Sequence, residues 1–300
     1  MCVMTFEHML RTWIARKAAE EQVRSAIPTI REPTLEERIL ENPRDPTAKL
    51  VYADWLAERG DPRGEFVASS VLGRTDPRAW GRADRLRHEY GPGWLWPLGA
   101  PEDPLRLEVT WVDGFVEEAR LWTLDEARAL SAHILRLVSL PVALTLSRLS
   151  IELGPTSINA GFAVAGLAAC RRLHGLDLQL PGMGAEDVMA AAELDRLREL
   201  SIDVAGLDPG ALRPLMGRTA PLDRLTLDRV PFGDDLVDRL ATSDVVLRLG
   251  ELRLGGPLSE GSVPGLVAIA TRGRPTRLVV PGLPAAGLEA LSARLGEPSR

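Results

Sequence analysis

Between positions 52 and 65 lie Tyr52, Asp54, Trp55, Arg59, Asp61, Arg63 and Glu65, a dense mixture of charged and aromatic residues. Two carboxylates there, Asp54 and Glu65, are of the type that serves general acid–base hydrolysis. Their local spacing supports packing instead. Leu50, Val51, Trp55 and Leu56 recur at helical spacing and can face a core. Asp54 and Glu58 lie one turn apart, where Arg59 and Arg63 can pair with them. Gly60-Asp61-Pro62 reads as a helix stop followed by a cap and a new start. The segment is expected to pack, with Asp54, Trp55, Arg59 and Arg63 as a second surface epitope.

The other residue types capable of chemistry do not assemble. The four histidines (His8, His88, His133, His174) have no ligand spacing, and the cysteines are only Cys2 and Cys170. No metal site, disulfide framework or histidine-based acid–base pair is expected. Cys170 reads as a small buried apolar residue. No glycine-rich loop of the phosphate-binding kind follows a strand, so no cofactor is expected. Carboxylate-dependent hydrolysis is left as a remote alternative.

The stronger pattern lies in the second half. Five stretches follow apolar-x-x-apolar-x-apolar: Leu146–Leu149–Ile151, Leu173–Leu176–Leu178, Leu197–Leu200–Ile202, Leu222–Leu225–Leu227 and Leu249–Leu252–Leu254. A sixth, Pro275–Leu278–Val280, is degenerate. The middle residues at 149, 176, 200, 225, 252 and 278 are spaced by 27, 24, 25, 27 and 26. That period and core are those of leucine-rich repeats, whose units bury their apolar faces only by stacking. Each strand is followed by a helical stretch: 161–172, 184–196, 209–218, 233–243, 262–272 and 285–295. The expected fold class is α/β, a small N-terminal helical domain followed by a solenoid with parallel strands inside and helices outside.

Aligning the repeats places side chains in columns on the concave face, because they alternate along a strand. One column holds Glu152, Gln179, Asp203, Asp228 and Gly255; the neighbouring one holds Ser150, Asp177, Ser201, Thr226 and Arg253. Glu152, Asp177, Asp203 and Asp228 are expected to form an acidic stripe that a basic protein would cover. Those four with Gln179 and Arg253 are the candidate partner-binding residues. A further column, Glu199, Arg224, Glu251 and Arg277, alternates in sign and reads as a structural ladder.

Toward the N-terminus, residues 5–27 read as an amphipathic helix that Pro28 ends. Thr34 and Glu37 suggest a capping box. Asp45-Pro46 opens a helix that Gly60 ends. Further helices are expected near Pro62 and over 76–90. Asp113-Gly114 is a hairpin turn signal between alternating segments, and that hairpin is expected to cap the solenoid, with Trp111 and Trp122 forming a lid. All seven tryptophans precede position 123. The expected organisation is an N-terminal helix (1–30), a helical domain (31–102), a hairpin cap (103–123) and about six repeats (124–300).

Net charge is −6, carried wholly by residues 101–300, which hold 21 Lys+Arg and 27 Asp+Glu against 15 and 15 before them. An acidic repeat region argues against nucleic acid as the partner. Lysine occurs only at 17 and 49, and asparagine only at 42 and 159, a composition that fits a GC-rich genome. No signal peptide or membrane-length apolar run is visible, so the expected compartment is the cytoplasm. Oligomeric state is not encoded in any motif.

The run Leu50-Val51-Tyr52-Ala53-Asp54-Trp55-Leu56-Ala57-Glu58-Arg59-Gly60-Asp61-Pro62-Arg63-Gly64-Glu65-Phe66 closely resembles the hallmark of the bacterial repeat-companion domain, a family of myxobacteria and planctomycetes. Ile39-Leu40-Glu41-Asn42-Pro43, Trp94-Leu95-Trp96-Pro97-Leu98 and Gly114-Phe115-Val116-Glu117 resemble its other blocks. The resemblance spans about 34–122, and leucine-rich repeats are its usual companion. It implies an interaction module and supplies no established activity. The position eight after the first leucine, often asparagine in such repeats, is Gly154, Pro181, Ala205, Val230 or Pro257, so the repeats resemble the longer ribonuclease-inhibitor type. The expected function is a non-enzymatic protein-binding scaffold. The alternative is an inhibitor or immunity-type protein that blocks a basic enzyme or toxin.

Overall fold

The structure, a computed structural model, describes residues 30–95, 106–123, 130–154, 167, 170–180, 183–230, 233–273 and 275–295. The helices expected over 5–27 and most of 161–172 lie outside the described residues. The chain is α/β, with an open eight-stranded sheet in sequential order. The strands are β1 (Arg106–Val112), β2 (Phe115–Thr123), β3 (Arg148–Leu153), β4 (Gly175–Gln179), β5 (Glu199–Asp203), β6 (Arg224–Asp228), β7 (Glu251–Leu254) and β8 (Arg277–Val279). From β2 to β8 every neighbouring pair is parallel. The chain divides into two compact units: residues 1–100 with 110–117 and 139–145, and residues 101–109 with 118–138 and 146–300.

The first unit contains α1 (Pro33–Glu41), α2 (Pro46–Ala57), α3 (Pro62–Leu72) and α4 (Pro77–Trp94). Three of these open with Asp-Pro. Asp45, Asp61 and Asp76 each accept a backbone N–H two residues on, and the following proline occupies the first helical position. Proline loses nothing there, because that N–H has no helical acceptor. The first helix departs from expectation: Glu32, not Thr34, is its cap, accepting from Thr34 N at 3.2 Å. Pro33 at the first helical position draws the cap two residues upstream. α2 ends at Ala57 rather than Arg59, and Gly60 at φ +71° closes it. The Asp61 N–H returns to Leu56 O and the Gly60 N–H to Ala57 O, the pair of bonds that defines a Schellman stop.

Helices α2 and α3 touch at Gly64, where a Cβ would lie 2.5 Å from Ala53 O. Ile39, Tyr52, Ala53, Leu56, Val67, Val71 and Phe115 form the core. A second aromatic group joins Phe66 to Trp94 at 5.0 Å and to Trp111 at 5.3 Å. Trp111, one of the two tryptophans expected in a lid, therefore packs within this unit. The Asp113-Gly114 turn has both residues at positive φ (52° and 84°), as a two-residue hairpin turn of type I′ requires. A Cβ on Gly114 would also meet Val67 Cα at 2.6 Å. The Asp113 carboxylate, 3% exposed, accepts from Lys49 Nζ and from Nε and Nη2 of Arg74.

In the second unit, alternate residues of β3 to β7 are buried: Leu149 and Ile151, Leu176 and Leu178, Leu200 and Ile202, Leu225 and Leu227, Leu252 and Leu254. Leu146, Leu173, Leu197, Leu222 and Leu249 are buried beside them. Each such side chain contributes about 1.5–3 kcal/mol through burial. The segments before the strands repeat one bonding pattern. Ser147 O accepts from His174 and Gly175, His174 O from Arg198 and Glu199, Arg198 O from Asp223 and Arg224, and Asp223 O from Gly250 and Glu251.

The helices here are α5 (Leu130–Ser139), α6 (Ala185–Ala192), α7 (Arg213–Met216), α8 (Asp234–Thr242), α9 (Val263–Arg272) and α10 (Ala285–Leu295). The helix expected over 209–218 is instead a 3-10 turn, Pro209–Leu212, followed by the single turn α7. Pro209, Gly210 and Pro214 crowd one short stretch, and each disfavours a helix interior. Arginines close helix ends across neighbouring segments. Arg218, 6% exposed, donates to Ala191 O in the last turn of α6 and to Leu194 O (2.8 Å) and Leu197 O (3.0 Å) after it. Arg272 donates to Ala241 O (2.9 Å) and Ser243 O (3.2 Å) beyond α8. The guanidinium bonds add to the turn bonds that Ala191 O and Leu194 O accept from Leu194 N (3.3 Å) and Leu197 N (2.9 Å).

Candidate interaction face

The side chains between the buried positions of β3 to β7 are partly or fully exposed, and they are polar or charged except at Gly175. The register sets them in rows. Ser150 pairs with Asp177, Asp177 with Ser201, Ser201 with Thr226, and Thr226 with Arg253. Glu152 pairs with Gln179, and Asp203 with Asp228.

The acidic residues do not form a bare stripe. Asp177 stands in the row of Ser150, and Gln179 is the β4 residue beside Glu152, so only Asp203 and Asp228 are direct neighbours. Three of the four carboxylates are held by arginines of the chain itself. Glu152 binds Arg120, which also approaches Glu108 at 3.7 Å. Asp203 binds Arg229. Asp228 accepts from Arg253 Nε at 3.0 and 3.1 Å on its two oxygens. Gly255 makes room for that pair, since a Cβ there would fall 1.7 Å from Asp228 Oδ1. Arg229 takes a left-handed backbone (φ 55°), uncommon for a residue with a Cβ, and its Nη2 also reaches Asp203 O at 3.4 Å. Hydrogen bonding to Asp203 raises the Arg229 pKa, and bonding to Glu152 does the same for Arg120.

Asp177 differs. Its carboxylate accepts from Ser150 Oγ at 3.3 Å and has no ion pair among the described residues. The sign-alternating row is continuous: Arg224 contacts Glu199 at 3.2 Å and Glu251 at 3.1 Å, and Arg277 contacts Glu251 at 3.3 Å. Arg148 extends it, reaching Glu199 at 2.8 Å and Glu118 at 3.7 Å.

Sequence reasoning missed Arg120, Arg148 and Arg229 as partners of these acids. Arg120 lies on β2, which lacks the repeat spacing and so fell outside the alignment. Arg229 follows its strand, and nothing in its residue type signals the left-handed turn that sends it back to Asp203. Arg148 was placed in no column.

The second epitope divides. Asp54 is exposed, and Trp55 lies beneath the Arg59 guanidinium at 4.1 Å. Arg59 pairs with Glu58 at 3.5 Å. Arg63 does not pair with the α2 carboxylates. It is 4% exposed, bonds both oxygens of Asp61 and donates to Ile30 O at 2.6 Å. Arg63 lies in the next helix, beside that helix's cap, and is buried away from any partner. Glu65 pairs with Arg82 at 3.3 Å.

The remaining reactive types have quiet surroundings. Burial pushes the Cys170 thiol up, away from thiolate. Burial and then the charges of Arg172, Arg198 and Arg196 hold the His174 pKa down. Two clefts, of about 360 Å³ beside Cys170 and Leu194 and about 480 Å³ beside Arg213 and Arg239, are lined by inter-strand turns and helices rather than by strand side chains. Among the described residues, no group of three or more His, Cys, Asp or Glu could hold a metal ion, and no helix is long and apolar enough to cross a membrane. No protein-family model matches the chain, and no curated protein is significantly similar to it.

Proposed function

We propose that the chain is a non-enzymatic protein-binding scaffold whose parallel sheet is the inner face of a leucine-rich-repeat solenoid, preceded by a helical repeat-companion-like domain. The observation that carries this reading is the polar strand face running from β3 to β7, left open to solvent above a continuous leucine core. Such a face offers many adjacent polar side chains in fixed register. Its ion pairs hold long side chains in place before a partner arrives, which lowers the ordering cost of association. The internal arginines temper the charge, so the partner is recognised mainly by shape and hydrogen bonds, with a smaller contribution from basic charge than a bare acidic stripe would give.

Affinity capture from the native host tests the reading. Thr226→Trp on β6 places bulk on the strand face, and Arg239→Trp places it on the exposed side of α8. Capture of a specific partner is expected to be lost with Thr226→Trp and kept with Arg239→Trp. The reverse pattern would remove the strand face from the account.

A further inference from the structure

We infer that Asp177, Gln179 and Ser201 form a seat for an arginine side chain of a basic protein partner; this rests on the strand-face reading above. Glu118, Glu152, Glu199, Asp203, Asp228 and Glu251 each meet an arginine of this chain. Asp177 is the exception among the described residues, although it stands in the middle of the sheet on β4. The side chains directly across from it on β3 and β5 are Ser150 and Ser201. Both are too short to bring a positive charge. Adjacent strands lie about 4.8 Å apart, so these serines leave a shallow depression around the carboxylate.

The neighbouring polar groups are unused as well. Ser150 donates to one oxygen of Asp177 at 3.3 Å, which leaves the other oxygen open. Ser201 beside it, and Gln179 two residues on along the same face, make no side-chain hydrogen bond among the described residues. Asp177, Gln179 and Ser201 are each partly exposed, so a carboxylate, an amide and a hydroxyl are offered on one strand face. A guanidinium presents five donors in a planar fork and suits several acceptors at once, whereas an ammonium acts as a point charge. Six carboxylates in ion pairs surround one that makes none; Arg120, whose charge Asp177 also feels, is already bound to Glu152, so a further cation fits here, and the acceptor set selects arginine.

A fluorescein-labelled Gly-Arg-Gly-Arg-Gly-Arg peptide, titrated by anisotropy at low salt, tests the seat against the full-length protein. Asp177→Asn keeps the side chain's shape and is expected to weaken binding about tenfold, the scale of one lost charge-assisted hydrogen-bond site. Asp235→Asn, at an exposed position on α8, makes the same change in net charge and is expected to stay within about twofold. The lysine version of the peptide is expected to bind more weakly than the arginine one. Equal weakening by Asp177→Asn and Asp235→Asn, or no binding by the unaltered protein, would overturn the proposal. Thermal unfolding checks that Asp177→Asn folds; if it does not, Gln179→Leu replaces it, with weakening expected and unchanged binding counting against the seat. If Thr226→Trp blocks partner capture while Asp177→Asn binds the peptide normally, the seat falls and the scaffold reading stands.

Discussion

Arg148 on β3 reaches Glu199 on β5 at 2.8 Å, passing over the intervening strand at Gly175. The glycine is what permits the crossing, since a Cβ there would already sit 3.3 Å from Arg148 Cγ and 3.4 Å from its Nε. The same Glu199 accepts from Arg224 on the other side, so one missing side chain lets a charge row continue from β3 to β8. Gly175→Val is expected to sever this bridge. A double-mutant cycle on Arg148 and Glu199 should give a coupling of about 0.3–1 kcal/mol in the natural background and near zero in Gly175→Val.

Asp203→Arg with Asp228→Arg would place new arginines against Arg229 and Arg253, which now hold those carboxylates. Lost pairs become like-charge contacts, and stability is expected to fall by about 1–2 kcal/mol. Asp177→Asn, which breaks no ion pair, is expected to change it by under about 0.5 kcal/mol. Urea unfolding of both variants checks the contrast. A double reversal that leaves stability unchanged would show that these pairs are not formed in solution.

Much of this architecture was legible in the chain. The strand positions and their register follow from Leu149, Leu176, Leu200, Leu225 and Leu252, because a buried column tolerates little besides leucine at a fixed step. The Asp-Pro starts were equally legible at Asp45 and Asp61, where local chemistry decides the cap. What sequence could not convey was how long arginines resolve competing partners. Arg63 had carboxylates within reach on α2 and took Asp61 instead. Arg120 and Arg229 lie outside the repeat alignment, and their approach to Glu152 and Asp203 depends on strand pairing and on one left-handed residue. Glu152, Asp177, Asp203 and Asp228 lie on the strand face but not in one stripe, and arginines of the chain hold three of them.

Asp113 ties the hairpin turn to Lys49 and Arg74. Burial pushes its pKa up, and the hydrogen bonds from Arg74 and Lys49 more than reverse this, leaving it below the ordinary value. A carboxyl with a lowered folded pKa stabilises the fold above its unfolded pKa of about 3.9 and loses that contribution as pH falls through the folded value. Stability is therefore expected to decline below about pH 4. Asp113→Asn should flatten that decline and cost about 3–5 kcal/mol at neutral pH, because two cations lose their buried partner. Acid titration of the near-ultraviolet circular dichroism would read it.

Arg218 serves carbonyls alone, and burial lowers its pKa from the ordinary guanidinium value. Arg218→Met keeps much of the apolar stem and removes the guanidinium donors from Ala191 O, Leu194 O and Leu197 O, the first two of which keep a backbone donor. A loss of about 2–4 kcal/mol is expected, with faster amide exchange at the end of α6. Unchanged exchange there would mean that water replaces the guanidinium without cost.

Site-specific photo-crosslinking in the native host would decide whether partners meet the strand face. A photoreactive residue placed at Ser150 or Thr226 is expected to trap the same protein from both positions, while one at Asp238 on α8 traps none. Adducts from Asp238 with none from Ser150 and Thr226 would contradict the account and move binding to the helices.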